Sequence, residues 1–285
     1  MTRLTTDDIR DIAGSLTERD ADLLRMTGLT LKGLALSAVG SSQDDLDLGS
    51  FRVAAIPVNS GKGVIPAFSN SVCSIVQHLG MDGFVTAKGD VAGMVEAIAG
   101  GADIVFMADD EEFVALNLRT GRYSDNTRST AMGYCAALEA AMGGLAGRDV
   151  LVMGAGRVGS YAIQHLQGRG ARVALLEQDR DKAAWASRRF GITLVTDPRV
   201  GITNARAILN ASPAPVPGEW IREDAVISSP GVPYGYDEEG ERRAMAIIHD
   251  PLQIGVAVMA AWSASLSHQA IAGTQQTPSP AEVLE

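Results

Sequence analysis

The sequence predicts an α/β protein, and three observations carry that expectation. An apolar strand, Val150 to Met153, runs into Gly154-x-Gly156-x-x-Gly159, with a helical pattern directly behind it. The next strand, Arg172 to Leu176, ends on the acid Glu177. Upstream, residues 51–108 alternate strand and helix with short connections, the pattern of a small parallel sheet. Together these predict a C-terminal Rossmann domain, a doubly wound parallel sheet, and a smaller N-terminal α/β domain with a leading helix.

The glycine run spells out dinucleotide chemistry. Gly154 permits a tight turn, Gly156 lets a pyrophosphate approach the backbone, and Gly159 lets helix and strand pack closely. Ala155, Arg157 and Val158 complete the phosphate loop, whose helix start offers free N–H groups and a positive dipole end. Glu177 is placed to accept from the adenine ribose hydroxyls. A carboxylate there repels a 2′-phosphate, so NAD is expected over NADP.

Composition bounds the rest. The chain has 285 residues, 46% of them hydrophobic and 20% charged, enough to bury a core. A formal net charge of −10 argues against nucleic acid and anionic membranes as partners, and suits an amine-bearing small molecule. Cys73 and Cys135 show neither disulfide nor metal spacing, which points to a reducing, cytoplasmic setting. No secretory segment is expected at the N-terminus, and the apolar run from Ile254 to Leu266 is too short for a membrane span. A homodimer is compatible with this reading.

In chain order, Thr5 is the expected cap of the first helix, with Asp8 as its capping-box partner and Leu4 stapled to Ile9. Ile9, Ile12, Leu16 and Leu23 continue a helical stripe that ends near Gly28. Arg52 to Val58 reads as a strand, Ala67 to Leu79 as a helix, and Phe84 to Ala87 as a strand. Val91 to Ala99 reads as a helix and Asp103 to Met107 as a strand. Glu111 to Asn126 is more polar and carries the turn signal Thr120-Gly121. A small-residue helix from Thr127 to Met142 suits close packing between two domains. Six Rossmann strands follow at 150–153, 172–176, 192–195, 206–211, 225–228 and 245–249. The expected division is 1–126 for substrate, 127–147 as connecting helix and 148–252 for NAD. A helix at 253–273 returns to the first domain, and 274–285 is a flexible tail.

Ligands bind past the carboxyl ends of parallel strands, so the candidate residues lie there. The loop at Ser60, with Lys62 between two glycines, could hold a carboxylate or be a plain turn. Asp109 and Asp110 could seat an ammonium or cap a following helix, with Glu111 and Glu112 read as cap and surface. Asn210-Ala211-Ser212-Pro213 and Ser229-Pro230-Gly231-Val232-Pro233 are expected to wall the coenzyme or substrate. His249, followed by Asp250, could relay a proton, bind substrate, or simply cap its strand. His78, His165 and His268 read as packing or surface.

Further pieces mark a family. They are Leu4-Thr5-x-x-Asp8, Thr27-Gly28-Leu29-x-x-Lys32-Gly33, Ser60-Gly61-x-Gly63-Val64-Ile65 and Met107-Ala108-Asp109-Asp110. Ser229-Pro230-Gly231 and Pro251-Leu252-x-Ile254-Gly255 complete the set. Over about residues 1–265 the chain resembles the PylD family, NAD-dependent dehydrogenases that complete pyrrolysine biosynthesis. The resemblance implies oxidation of the terminal amine of L-lysine-Nε-3-methyl-D-ornithine, after which the product closes on the neighbouring α-amine as a pyrroline ring. It assigns Asp109 to the reacting amine, Ser60 to substrate, and Leu4 to a wall that the first helix lays over it as a lid. His249-Asp250, Gln253 and the longer tail depart from the family's expected pattern. Another NAD-dependent amino-acid or imine oxidoreductase, or an NAD-sensing module without turnover, are the alternatives.

Overall fold

The structure, a computed structural model, describes residues 4–5, 9–61, 63, 65 and 67–266. Asp8, Lys62, Val64, His268, the last helix beyond 266 and the tail 274–285 lie outside the described residues.

The first helix, α1 (Ile12–Thr27), buries Ile12, Leu16 and Leu23 on one stripe. Gly28 stops it in a left-handed turn at φ +73°, its N–H reaching Leu24 O. The next, α2 (Leu31–Ala38), is capped by the Thr30 hydroxyl, which accepts from Gly33 N.

The N-terminal sheet has five strands in the order β2-β1-β3-β4-β5. They are β1 (Arg52–Ile56), β2 (Asp82–Val85), β3 (Ile104–Ala108), β4 (Phe113–Asn117) and β5 (Arg122–Asp125), with α3 (Phe68–His78) and α4 (Asp90–Ala99) as crossovers. The first three strands are parallel. The last two form an antiparallel hairpin on β3, which corrects the expectation of a purely parallel small sheet. Phe113, Ala115 and Asn117 face inward in strict alternation, and Thr120-Gly121 is the hairpin turn, with Gly121 at φ +68°. The strand was disguised because one inward position is polar. The Asn117 amide is satisfied there by donating to Ser263 O at 2.8 Å. Boundaries also move, most at β1, which stops at Ile56 rather than Val58, and at β2, which opens at Asp82 rather than Phe84.

The second sheet has six parallel strands in the order β11-β10-β9-β6-β7-β8. They are β6 (Asp149–Met153), β7 (Arg172–Leu176), β8 (Thr193–Leu194), β9 (Ala207–Asn210), β10 (Val226–Ser228) and β11 (Ala246–Ile248). Strand order reverses direction at β6, the doubly wound arrangement. Met153 pairs with both Leu176 and Asn210. The three central strands therefore end level, and Gly154, Glu177 and Ala211 leave the sheet side by side.

One small-residue helix, α5 (Asn126–Met142), packs on both halves. Its N-cap Asp125 accepts from Arg128 N. It lies against α6 (Arg157–Gly168) of the second sheet and against the last described helix. That helix, here α10 after α7 (Arg180–Phe190), α8 (Pro198–Asn204) and α9 (Glu238–Arg243), spans Gln253–Ser265. A Cβ on Gly133 would sit 2.4 Å from Ile254 Cγ2, so glycine is what lets α5 and α10 cross this closely. From there α10 packs on α2, α3 and the β4–β5 hairpin, where the Ser124 hydroxyl donates to Met259 O at 2.9 Å. Among the described residues no helix is long and apolar enough to cross a membrane, and no cluster of metal-ligating side chains occurs. Both cysteines are free and buried, and burial pushes the Cys135 thiol up to about 12.

Candidate active site

The turn from β6 into α6 is made of glycines for three separate reasons. Gly154 sits at φ +90°, and a Cβ there would press on the Ala211 carbonyl at 3.2 Å. A Cβ on Gly159 would lie 2.0 Å from Gly154 O, so helix and turn touch backbone to backbone. At Gly156 a Cβ would meet nothing within 4 Å, because the residue faces open space. No side chain caps α6, which leaves its first N–H groups for a ligand. Glu177 steadies this loop: its carboxylate accepts from Ala155 N at 2.7 Å and from Asp179 N at 2.9 Å.

The opposite wall comes from the carboxyl edge of the small sheet. Asp109 follows β3, and its Oδ1 accepts from both Glu111 N and Glu112 N at 2.8 Å. Those N–H groups hold its carboxyl below the ordinary carboxylate value. The side chain is exposed to the cleft. No helix follows it, so the helix-capping alternative fails: the chain turns into β4 instead. Asp110 lies against the Ser60 loop, where a Cβ on Gly61 would be 2.2 Å from its Oδ2. The loop is braced from behind, since Asn59 donates through its backbone and side-chain amides to Asp90 at 2.8 and 2.9 Å. Asp90 adopts φ +52°, a left-handed backbone that these bonds help hold. Phe68 and Phe113, in edge-to-face contact at 5.2 Å, are apolar lining beneath.

Between the walls lies a cavity of about 510 Å³. Leu4, Ser60, Asp109 and Asp110 line it from one side, and Gly156, Arg157, Val158, Ala211, Pro213 and Pro230 from the other. Gly154, Ala155, Gly159 and Glu177 support the phosphate loop without lining the cavity. Ser212 turns away, its hydroxyl accepting from Ala214 N, and Ser229 is buried. His249 is not brought to the cleft. Its Nδ1 lies 2.8 Å from Ser229 O and its ring packs on Tyr234 at 4.8 Å, and it lines a second cavity between α1 and β11. Glu112 is exposed, as expected of a surface residue, and its pairing with Arg157 at 3.4 Å also bridges the two walls.

Sequence reasoning missed Tyr134 and underrated Asp250, both of which line the cavity. Tyr134 is the one aromatic in a helix of small residues, and that contrast was its only signal. Burial and the neighbouring Asp250 carboxylate hold the Tyr134 hydroxyl well above its ordinary pKa. It donates to Asp250 O at 2.8 Å and accepts from Asp250 N at 2.9 Å.

The two sheets and the helices around them have a fold in common with solved structures. A shikimate 5-dehydrogenase from Thermus thermophilus, solved with NADP(H) and shikimate, superposes with a TM-score of 0.51 at 18% identity, covering 82% of this chain and 97% of that one. At that identity the likeness is one of fold. Sequence goes further. Residues 8–124 match the family model described as "Pyrrolysine biosynthesis protein PylD, N-terminal domain". Pyrrolysine synthase of Methanosarcina barkeri (strain Fusaro / DSM 804) is 34% identical over 262 residues, 91% of this chain and 97% of the relative. The Methanosarcina acetivorans protein of the same name is also 34% identical, over 91% of this chain and 98% of its own. The chain belongs to the pyrrolysine synthase family.

Proposed function

We propose that the protein oxidises the terminal amine of L-lysine-Nε-3-methyl-D-ornithine with NAD, and that the product cyclises to the pyrroline ring of pyrrolysine. One observation carries the reading: a single cavity brings Ser60 and Asp109 opposite the Gly156–Val158 helix start. It supports reading the two sides as an amine seat and a dinucleotide cradle.

The residues present fit the coenzyme. The open face of Gly156 and the uncapped start of α6 suit a pyrophosphate. Glu177 stands level with that loop at the end of β7, where a ribose diol meets an acid. Ala211, Pro213 and Pro230 form a rigid wall of small side chains for the nicotinamide. Bound there, the nicotinamide supplies the hydride acceptor.

The chain's own groups do the rest. Asp109 holds the reacting amine with a carboxylate that stays charged, and Ser60 orients the substrate from the neighbouring loop. Leu4 closes the apolar side and excludes water while the carbon is oxidised. The buried, unpaired cysteines fit a reducing cytoplasm. Incubating the protein with NAD and the lysine–methylornithine compound tests the proposal. The expected result is NADH and a product lighter by ammonia and a hydride–proton pair. Turnover of other amino acids with this compound left untouched overturns it.

A further inference from the structure

We propose that Asp250 takes the proton from the substrate's amine before hydride leaves, a role that rests on the oxidation proposed above. An ammonium cannot release hydride from its carbon, so some group must first accept that proton. Three carboxylates line the cavity, Asp109 and Asp110 from the small sheet and Asp250 from the other half, at the turn between β11 and α10.

Their surroundings push them toward different tasks. Asp109 is exposed and already engaged by two backbone N–H groups. Such a carboxylate is a weak base and a durable counter-ion. Asp250 is half-buried and beside Pro251, facing the same cavity as Pro230, Gly231 and Val232. Its carboxylate also accepts from backbone N–H groups, Leu252 N at 3.0 Å and Ile254 N at 3.2 Å, with Gln253 N beside them, so burial rather than a shortage of donors sets it apart from Asp109. Tyr134 clamps the Asp250 backbone at both its N–H and its carbonyl, which fixes where the carboxylate stands.

Charged groups stand on more than one side of it. Desolvation raises the Asp250 carboxyl, against the pull of His249 on its own strand end and of the α10 N–H groups. From α5 it faces the un-ionised Tyr134, and it also borders the second cavity together with Arg19, Asp20, Asp22 and Arg25 of α1 and Glu241 of α9. Across the cleft stand Asp109 and Asp110. Among the described residues no Lys or Arg forms an ion pair with Asp250.

In the step, the substrate ammonium gives a proton to the Asp250 carboxylate, leaving a neutral amine and a carboxylic acid. The nitrogen lone pair then forms the C=N bond as hydride leaves the same carbon, which is oxidised by two electrons to the iminium. NAD held at the Gly156–Val158 helix start would supply the acceptor for that hydride.

Asp250→Asn tests this, because asparagine caps a helix as well as aspartate does and the start of α10 is kept. Asp250→Ser, a second capping residue, repeats the test should the first variant fold poorly. The expected result is a kcat reduced about a hundredfold, with unchanged thermal unfolding and unchanged NAD affinity. The fall in wild-type kcat towards acid pH should vanish in both variants. Independently of turnover, carboxyl ¹³C NMR of the coenzyme-free protein should show one aspartate titrating above the ordinary range, absent from Asp250→Asn. Variants within about threefold of wild type, or an Asp250 carboxyl titrating normally, overturn the assignment. If wild type itself forms no NADH, the proposed function falls; an active wild type beside an equally active Asp250→Asn removes only Asp250.

Discussion

The coenzyme wall of the cleft is made of backbone, whereas the substrate wall is made of side chains held by other side chains. On the first, Gly154, Gly156 and Gly159 matter for the atoms they lack, and the ligand-facing groups are N–H donors of a helix start. On the second, Asp109 is set by the 109–112 turn, Ser60 by Asn59 and Asp90, and Asp110 by its seat on Gly61. Backbone recognition is shared by every protein that binds the same coenzyme. Side-chain recognition belongs to one substrate, and it depends on contacts far apart in sequence.

Asp109 offers the largest break in that comparison. A charge facing its partner in the cleft is worth about 2–5 kcal/mol, so Asp109→Ala should lower kcat/KM about thirtyfold or more while NAD titrations stay unchanged. Asp109→Asn separates charge from shape, since its side-chain oxygen still accepts from Glu111 N and Glu112 N. If charge is what matters, Asn is as poor as Ala; a largely active Asn variant would reduce the residue to a turn-former. The sign of its pH dependence follows from its lowered pKa. The carboxylate persists through the ordinary carboxylate range, and the seat is lost only as pH falls below it.

The glycines test the other wall, with a smaller effect. Gly159→Ala forces a methyl against Gly154 O, so helix α6 must shift. Overpacking of this kind costs about 1–3 kcal/mol, read as a lower unfolding temperature together with weakened NAD binding. Gly156→Ala should leave unfolding unchanged, since nothing stands within 4 Å, yet weaken NAD about tenfold by occupying the pyrophosphate's approach. Equal destabilisation by both would erase the distinction between a packing glycine and a ligand glycine.

Glu177 sharpens the comparison because it serves both roles. In the proposed reading it meets a ribose, and it also holds Ala155 N. Glu177→Arg should shift the NADP-to-NAD affinity ratio about tenfold toward NADP. Glu177→Gln keeps an acceptor for the loop and should weaken NAD only a few-fold. An unchanged ratio in the Arg variant leaves the residue a loop brace alone.

The same contrast explains what was legible. The strand, glycines, helix and terminal acid are local, and their spacing alone carries the chemistry, so the second sheet was readable strand by strand. The small sheet's hairpin was not, because Asn117 breaks the apolar alternation and its partner, Ser263, lies on a distant helix. Asp109 and Ser60 stood out as strand-end residues. Tyr134 and the Asn59–Asp90 brace did not, because only tertiary contact gives them a role. His249 failed for a related reason: its strand β11 ends at the cleft, yet its ring turns toward Tyr234 and away from the cavity.

The smallest effect concerns an ion pair that joins the walls. Arg157 opens α6, where a pyrophosphate would sit, and it pairs with Glu112 at 3.4 Å. With side-chain exposures of 40% and 48%, such a pair contributes no more than about 1 kcal/mol. A bound pyrophosphate competes with Glu112 for the guanidinium, so removing that competitor should favour the coenzyme. Glu112→Gln is expected to tighten NAD about two- to five-fold at low salt, with the gain fading as salt screens the exposed pair. Weaker NAD binding in this variant would mean that the pair instead holds the cleft in the shape the coenzyme needs. The two walls would then be one unit rather than two materials meeting across a gap.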